Sequence, residues 1–124
     1  MRMSSLALVA AVAGTLAAAA CSKAELSYAK AVQPVFDKHC TACHKPGGEG
    51  FEKSGFATTS YDNVMKGNRF GPVVVAGHSP SSTLMILLEG KADPSINMPH
   101  GKQKIPEADI KVVKGWVDQG AKNN

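Results

Sequence analysis

Residues 40–44 read Cys40-Thr41-Ala42-Cys43-His44, and this run constrains the chain more than any other. Two cysteines three apart on a helical turn present both sulfurs on one side. At that spacing each thiol can add to one of the two vinyl groups of a haem, and the adjacent imidazole can turn onto the iron. C-x-x-C-H reads as c-type haem attachment for this reason. Two other chemistries use the same cysteines. A zinc site needs Cys40, Cys43 and two further ligands, for which His39, His78 and His100 are available. A disulfide or redox pair needs only the cysteines. A histidine directly after the second cysteine is required by neither, so one covalent haem c is the expected cofactor, with His44 as its proximal ligand.

A porphyrin also answers a shortage in the chain. The 124 residues have room for one domain and exclude a multidomain enzyme. With 44% hydrophobic and 19% charged residues the chain is neither disordered nor wholly membrane-embedded. Yet it holds only 1 Trp, 2 Tyr and 4 Phe against 12 Gly, a thin core for a domain of this size. A large flat apolar cofactor fills the middle, and the haem-free chain is expected to be largely unfolded.

The first residues stand apart from that domain. Met1-Arg2-Met3 is basic, Leu6 to Ala20 carries no charge, and Ala18-Ala19-Ala20 precedes Cys21. This describes an export signal over residues 1–20, too short for a membrane span of about 20 apolar residues. Two processing routes fit. Ala20-Cys21-Ser22 resembles a bacterial lipoprotein box, which makes Cys21 a candidate lipid anchor, although Ala18 stands where that motif prefers Leu. Ser22-Lys23-Ala24 offers a conventional peptidase site that removes Cys21. Either way the expected location is outside the cytoplasm, in a bacterial periplasm, free or lipid-anchored, with no transmembrane helix in the mature chain. Residues 21–27 read as a linker and 28–124 as the domain.

Within the domain, short helices alternate with Gly/Pro-rich loops. Tyr28 to His39 has Ala31, Val32, Val35 and Phe36 on one side, with regular helix expected from about Gln33 because Pro34 fits a first turn. Lys45 to Gly55, with four glycines and a proline, reads as loop. Ser60 caps a short helix over Tyr61–Met65 that Gly67 closes. Phe70 to Gly77 reads as extended without a partner strand. Ser79 is the expected N-cap of a helix running from Pro80 to Leu88, with Leu84, Leu87 and Leu88 inward and Gly90 beyond its end. Lys91 to Lys104 is a second loop. Pro106-Glu107 opens the last helix, where Ile110, Val113 and Val117 share a face. The fold class is all-α.

A six-coordinate haem needs a second axial ligand, and Met65, Met85, Met98, His78 and His100 are the candidates. Met98 is favoured, in a loop stiffened by Pro99. Met85 and Met65 sit on helices and read as core filler. His78 reads as a loop residue in water. His100, two residues from Met98, is the alternative sixth ligand. Methionine with histidine raises the reduction potential.

The chain resembles the small single-haem class I cytochromes c, and more closely the planctomycete-type cytochrome c domain, from about Tyr28 to Ala121. The resemblance is carried by the attachment motif, by Phe36 four residues before it, and by Gly71-Pro72-Val73-Val74-Val75-Ala76-Gly77 with Ser79-Pro80 and Ser82-Thr83-Leu84. Met98-Pro99 and Trp116-Val117-Asp118-Gln119-Gly120-Ala121 complete it. It implies a class I-like fold wrapped around the haem, Met98 as the axial methionine, and Trp116 packed against Phe36. Three positions depart from the pattern. Val32 stands where glycine is common at the crossing of first and last helices. His100 stands where a second proline commonly follows Met-Pro, and Lys45-Pro46 where glycine commonly follows the histidine.

No nucleophile with a base partner, carboxylate pair or nucleotide loop is apparent in the sequence, so the expected function is single-electron transfer rather than catalysis. The alternative is a haem-based diatomic gas-binding or sensor protein with a labile Met98. A zinc module and a small peroxidase are further rivals. Redox proteins are the expected partners, with the chain a monomer or a subunit of a larger complex, and nucleic acid is not expected. Lys38, Lys45, Lys53, Lys66, Lys91, Lys102 and Lys104 lie in segments expected around the haem, either as a ring that steers acidic partners or as scattered solvating charges.

Overall fold

The computed structural model describes residues 22–124. Residues 1–20, read above as an export signal, and Cys21 lie outside the described residues. The order of elements is a π-helical turn Tyr28–Val32, α1 Gln33–His39, α2 Glu49–Ser54, α3 Tyr61–Lys66, a 3-10 turn Ser79–Ser81, α4 Thr83–Leu88 and α5 Glu107–Asp118. The fold is all-α, five short helices and no strand among the described residues, as expected. No described helix is long and apolar enough to cross a membrane.

Pro34 explains the entry into α1. Inside a regular helix its ring would clash with the carbonyl four residues back. The backbone instead widens into a π-turn, with the Gln33 N–H donating to the Tyr28 carbonyl, and α-helix proper starts at Gln33. Ser27 caps the turn through Lys30 N. Val32, Val35 and Phe36 face inward.

The α5 helix supplies the other wall, burying Ile110, Val113, Trp116 and Val117. Phe36 and Trp116 belong to one buried cluster, and both of them pair with the ring of Tyr28. Its centroid lies 6.4 Å from Phe36 and 5.3 Å from Trp116, with Tyr61 5.2 Å away edge-on. The Tyr28 hydroxyl donates to Gln33 Oε1 at 2.7 Å, and burial holds its pKa above the ordinary value, with Asp37 and Tyr61 adding. Val32 is fully buried at the helix crossing. The small residue at this end is Gly115 of α5, where a Cβ would come within 2.8 Å of the Leu26 side chain.

Two local expectations are overturned. Lys45–Gly55 is not all loop. It contains α2, with Glu49 and Glu52 in the first turn, Lys53 in the last, and Gly55 at φ 72 as the left-handed cap. The helix expected from Ser79 to Leu88 is split. Ser82, not Ser79, precedes α4, and its hydroxyl is taken up by the preceding strap, accepting from Val75 N at 2.8 Å and donating to the His78 carbonyl at 3.1 Å. Met85 is buried with Leu84 and Leu88, while Leu87 is half-buried. Phe70–Gly77 carries no strand, only an isolated bridge between Asn68 and Gly71. Residues 22–27 are non-helical and tied to the C-terminal end. Leu26 N donates to Gln119 Oε1, Tyr28 N to Asn124 Oδ1 and Ala29 N to the Asn124 carbonyl.

Candidate functional site

The attachment motif continues α1 as one further turn. Cys40 N and Thr41 N both donate to the Phe36 carbonyl, at 2.8 and 2.9 Å, and Cys43 N and His44 N both donate to the Cys40 carbonyl. Both thiols are free, Cys40 half-buried and Cys43 exposed. Burial, with Cys43 adding, pushes the Cys40 thiol up to about 11, so it is neutral at physiological pH. Thiol redox centres work through a lowered pKa, the opposite arrangement. The zinc alternative finds no support either. His39 is engaged by Asp109, His78 and His100 are exposed, and no described cluster of three or more His, Cys, Asp or Glu forms a metal cage.

His44 is gripped from two directions by one segment. Its Nδ1 is 3.1 Å from the Phe56 carbonyl, an acceptor only, so Nδ1 carries the proton and donates. That tautomer leaves the lone pair on Nε2, the atom a metal takes. The Thr58 N–H meanwhile donates to the His44 carbonyl at 2.9 Å, and the Phe56 ring stands edge-on to the imidazole at 5.4 Å. Thr58 is fully buried. Its hydroxyl is 2.9 Å from that of Thr41 inside the motif, and its carbonyl accepts from Gln33 Nε2 at 2.9 Å.

The α2 helix closes this side. Phe51 N donates to the Cys43 carbonyl at 2.9 Å. A Cβ on Gly50 would stand 2.8 Å from His44 Cε1 and 3.0 Å from Nε2, and a Cβ on Gly48 would collide with the Cys43 carbonyl. Both glycines bring bare backbone against the motif. At its other edge, His39 Nε2 sits 2.8 Å from Asp109 Oδ2, tying the residue before Cys40 to the first turn of α5.

Met98 lies in the second loop, half-buried against the core, and its N–H donates to the Leu87 carbonyl at 3.3 Å. The loop is stitched to itself. Asn97 exchanges two side-chain bonds with the Ala92 backbone, each 3.2 Å, and Asp93 accepts from Ser95 N and Oγ, which lowers its pKa. His100 is exposed. The Glu49 carboxyl has its pKa lowered by the hydrogen bond and charge of Lys53, with His100 adding.

The lysine ring is thinner than the sequence suggests. Lys38, Lys53, Lys91 and Lys104 pair with Asp109, Glu49, Glu89 and Glu107, whereas Lys45, Lys66 and Lys102 enter no ion pair among the described residues.

Sequence reasoning missed Phe56, Thr58, Gly48 and Gly50. The signals for α2 were present in the Glu49/Lys53 spacing and in Gly55, but masked by the glycine count. Nothing local marks Phe56 or Thr58, whose roles come from backbone carbonyls and a buried hydroxyl. The donor set fits a covalent haem: two free thiols on one turn, an imidazole whose tautomer is fixed by Phe56, and an Nε2 without a hydrogen-bond partner among the described residues.

A protein-family model described as Planctomycete cytochrome C matches residues 40–111, from Cys40 through Met98 into α5. No curated protein and no solved structure matches the chain.

Proposed function

Since the chain belongs to the planctomycete cytochrome c family, whose members are c-type cytochromes with covalent haem c, we propose that it carries single electrons between redox proteins outside the cytoplasm. One haem is held by thioethers from Cys40 and Cys43, with His44 Nε2 and the Met98 sulfur on the iron. When bound, haem c supplies reversible one-electron Fe(III)/Fe(II) chemistry, and the protein sets its potential and access.

The observation that carries this reading is the His44 hydrogen bond to the Phe56 carbonyl. It fixes the ring orientation and tautomer and leaves the Nε2 lone pair free for a metal. Thr58 and Gln33 brace the backbone around it. Met98 is the better second ligand because it is packed on the core, whereas His100 is exposed.

Residues 1–20 are proposed as the export signal, with Cys21 lipidated or removed, and residues 28–124 as the cytochrome domain. A periplasmic setting follows, with the chain acting as a monomer or as a subunit of a larger assembly.

The decisive experiment is a mass spectrum and pyridine haemochrome of the exported protein, followed by redox titration. The expected result is one haem, with or without lipid, and the far-red sulfur-to-iron band in the oxidised form. Met98→Ala should abolish that band and lower the potential within the roughly 0.8 V range that axial ligands span. A mass equal to the bare polypeptide overturns the proposal. Ready CO binding by the reduced wild type overturns six-coordination and favours the gas-binding alternative.

A further inference from the structure

The carbonyl that orients His44 sits on residues 56–58, which form neither helix nor strand. A segment without regular structure keeps its place only through the bonds made to it. At its start, Phe56 N donates to Ser54 Oγ at 3.1 Å, and that hydroxyl donates to the Gly50 carbonyl of α2. At its end, Thr58 N donates to the His44 carbonyl, and the Thr58 carbonyl accepts from Gln33 Nε2 at 2.9 Å. The segment therefore hangs between the attachment motif and the first residue of α1.

Gln33 is suited to that task because its amide is fully committed. Nε2 donates to Asp37 Oδ1 at 2.8 Å as well as to Thr58, and Oε1 accepts from the Tyr28 hydroxyl at 2.7 Å. Carboxylate and carbonyl are acceptors only, so the NH2 end must face them and the amide cannot turn over. Burial keeps the Tyr28 hydroxyl protonated, as a donor to the other end. Asp37 also accepts from Thr41 Oγ1 at 3.2 Å, and Thr41 Oγ1 lies 2.9 Å from Thr58 Oγ1. Gln33, Asp37 and Thr41 follow at intervals of four along α1 and the turn after it. Thr58 closes them into a ring of four side chains. Through this ring the rigid face of α1 reaches the backbone two residues from the Phe56 carbonyl.

We propose that Gln33 is a positioning residue for the proximal histidine: by holding Thr58 it fixes how closely the Phe56 carbonyl meets His44 Nδ1, and it tunes the reduction potential through that bond. This rests on His44 ligating the haem iron, as proposed above. A hydrogen bond from the outer nitrogen of a ligating histidine makes the ligand richer in electrons, which favours Fe(III). Loss of the Gln33 bond to Thr58 therefore moves the potential upward.

The test compares two variants of the full chain with haem attached. Gln33→Met keeps length and neutrality but cannot donate. Tyr28→Phe removes only the bond at the other end of the amide. In redox titration, Gln33→Met is expected to raise the reduced-to-oxidised ratio at the wild-type midpoint by about 2- to 10-fold, the range open to one weakened hydrogen bond. Proton NMR of the reduced form should show its His44 Nδ1–H exchanging with solvent faster than in the wild type. Tyr28→Phe should lower the thermal midpoint and leave potential and exchange unchanged. An unchanged or lowered potential in Gln33→Met overturns the proposal. An equal upward shift in Tyr28→Phe also overturns it, since general loosening of the core then explains both. The wild type supplies a reading that needs no variant: both Gln33 NH2 protons should exchange slowly, and exchange at the rate of an exposed amide overturns the ring. A haem-loaded wild type whose spectrum shows no iron-bound histidine refutes the ligation reading itself.

Discussion

His44 and Met98 are held in different ways. The histidine side is secured by bonds that cross the chain: Nδ1 to Phe56, its carbonyl to Thr58, the Cys43 carbonyl to Phe51, and Thr41 to Thr58. The methionine side is secured mainly by bonds that stay within the loop, between Ala92 and Asn97 and between Asp93 and Ser95, with Lys91 N and Met98 N reaching α4 at the Ile86 and Leu87 carbonyls. The first arrangement fixes an atom against a rigid frame. The second fixes the shape of a loop and leaves its seating to packing, so Met98, the proposed sixth ligand, is held more softly than His44.

The largest blow to this contrast is removal of the attachment itself. Cys40→Ala/Cys43→Ala should yield a colourless protein of bare-polypeptide mass whose circular dichroism has lost most of its helical signal. A native helical spectrum would show that the core of Tyr28, Phe36 and Trp116 stands without the cofactor. Next comes Gly50→Ala, which drives a methyl into the His44 ring. Overpacking of this kind costs about 1–3 kcal/mol. Thermal unfolding should report that loss together with a changed Soret band, while a variant as stable as the parent, with an unchanged band, would mean α2 does not confine the imidazole.

A matched pair then separates the sides. Thr58→Val removes the hydroxyl partner of Thr41, which keeps the Phe36 carbonyl, at a cost of about 0.5–1.5 kcal/mol. It should leave the far-red sulfur band intact. Asn97→Ala costs roughly 0.5–1.5 kcal/mol and should weaken that band while leaving the imidazole signals alone. Identical spectra from the two would erase the distinction.

The smallest effect is electrostatic. Glu89, where the second loop leaves α4, has its carboxyl pKa lowered by hydrogen bonds from Lys114 and Lys91. Because the folded pKa lies below the unfolded one, the stabilisation is complete above the unfolded value and disappears as pH falls through the folded value. Such a pair contributes at most about 1 kcal/mol. Acid titration of unfolding should show Glu89→Gln losing this dependence. A variant that keeps the parental acid midpoint would remove Glu89 from the account.

What the sequence made legible were features decided within a few residues. The attachment turn, the Ser60 cap accepting from Asn63 N, the start of α1 at Gln33 beside Pro34, and the buried face of α5 all have local causes. The misses have distant ones. The α2 helix forms in a glycine-rich stretch because Gly48 and Gly50 let it lie against Cys43 and His44. Ser79 and Ser82 are alike by pattern. Contact with the Val75–His78 strap makes Ser82 the residue before α4, while Ser79 is buried with its N–H taken by Asp118. Tyr28, carried inward on a π-turn rather than a regular helix, pairs with both Phe36 and Trp116, which no local pattern marks.

The clasp between the chain's two ends has a consequence for how the molecule is made. Asn124 answers the backbone at Tyr28 and Ala29, and Gln119 answers Leu26. During synthesis residues 26–29 emerge well before Gln119 and Asn124, so this strap has no partner until those residues follow. These bonds therefore close late, and Asn124→Ala, which removes the bond to Tyr28 N, would loosen the entry to α1 before it disturbed the middle of the domain.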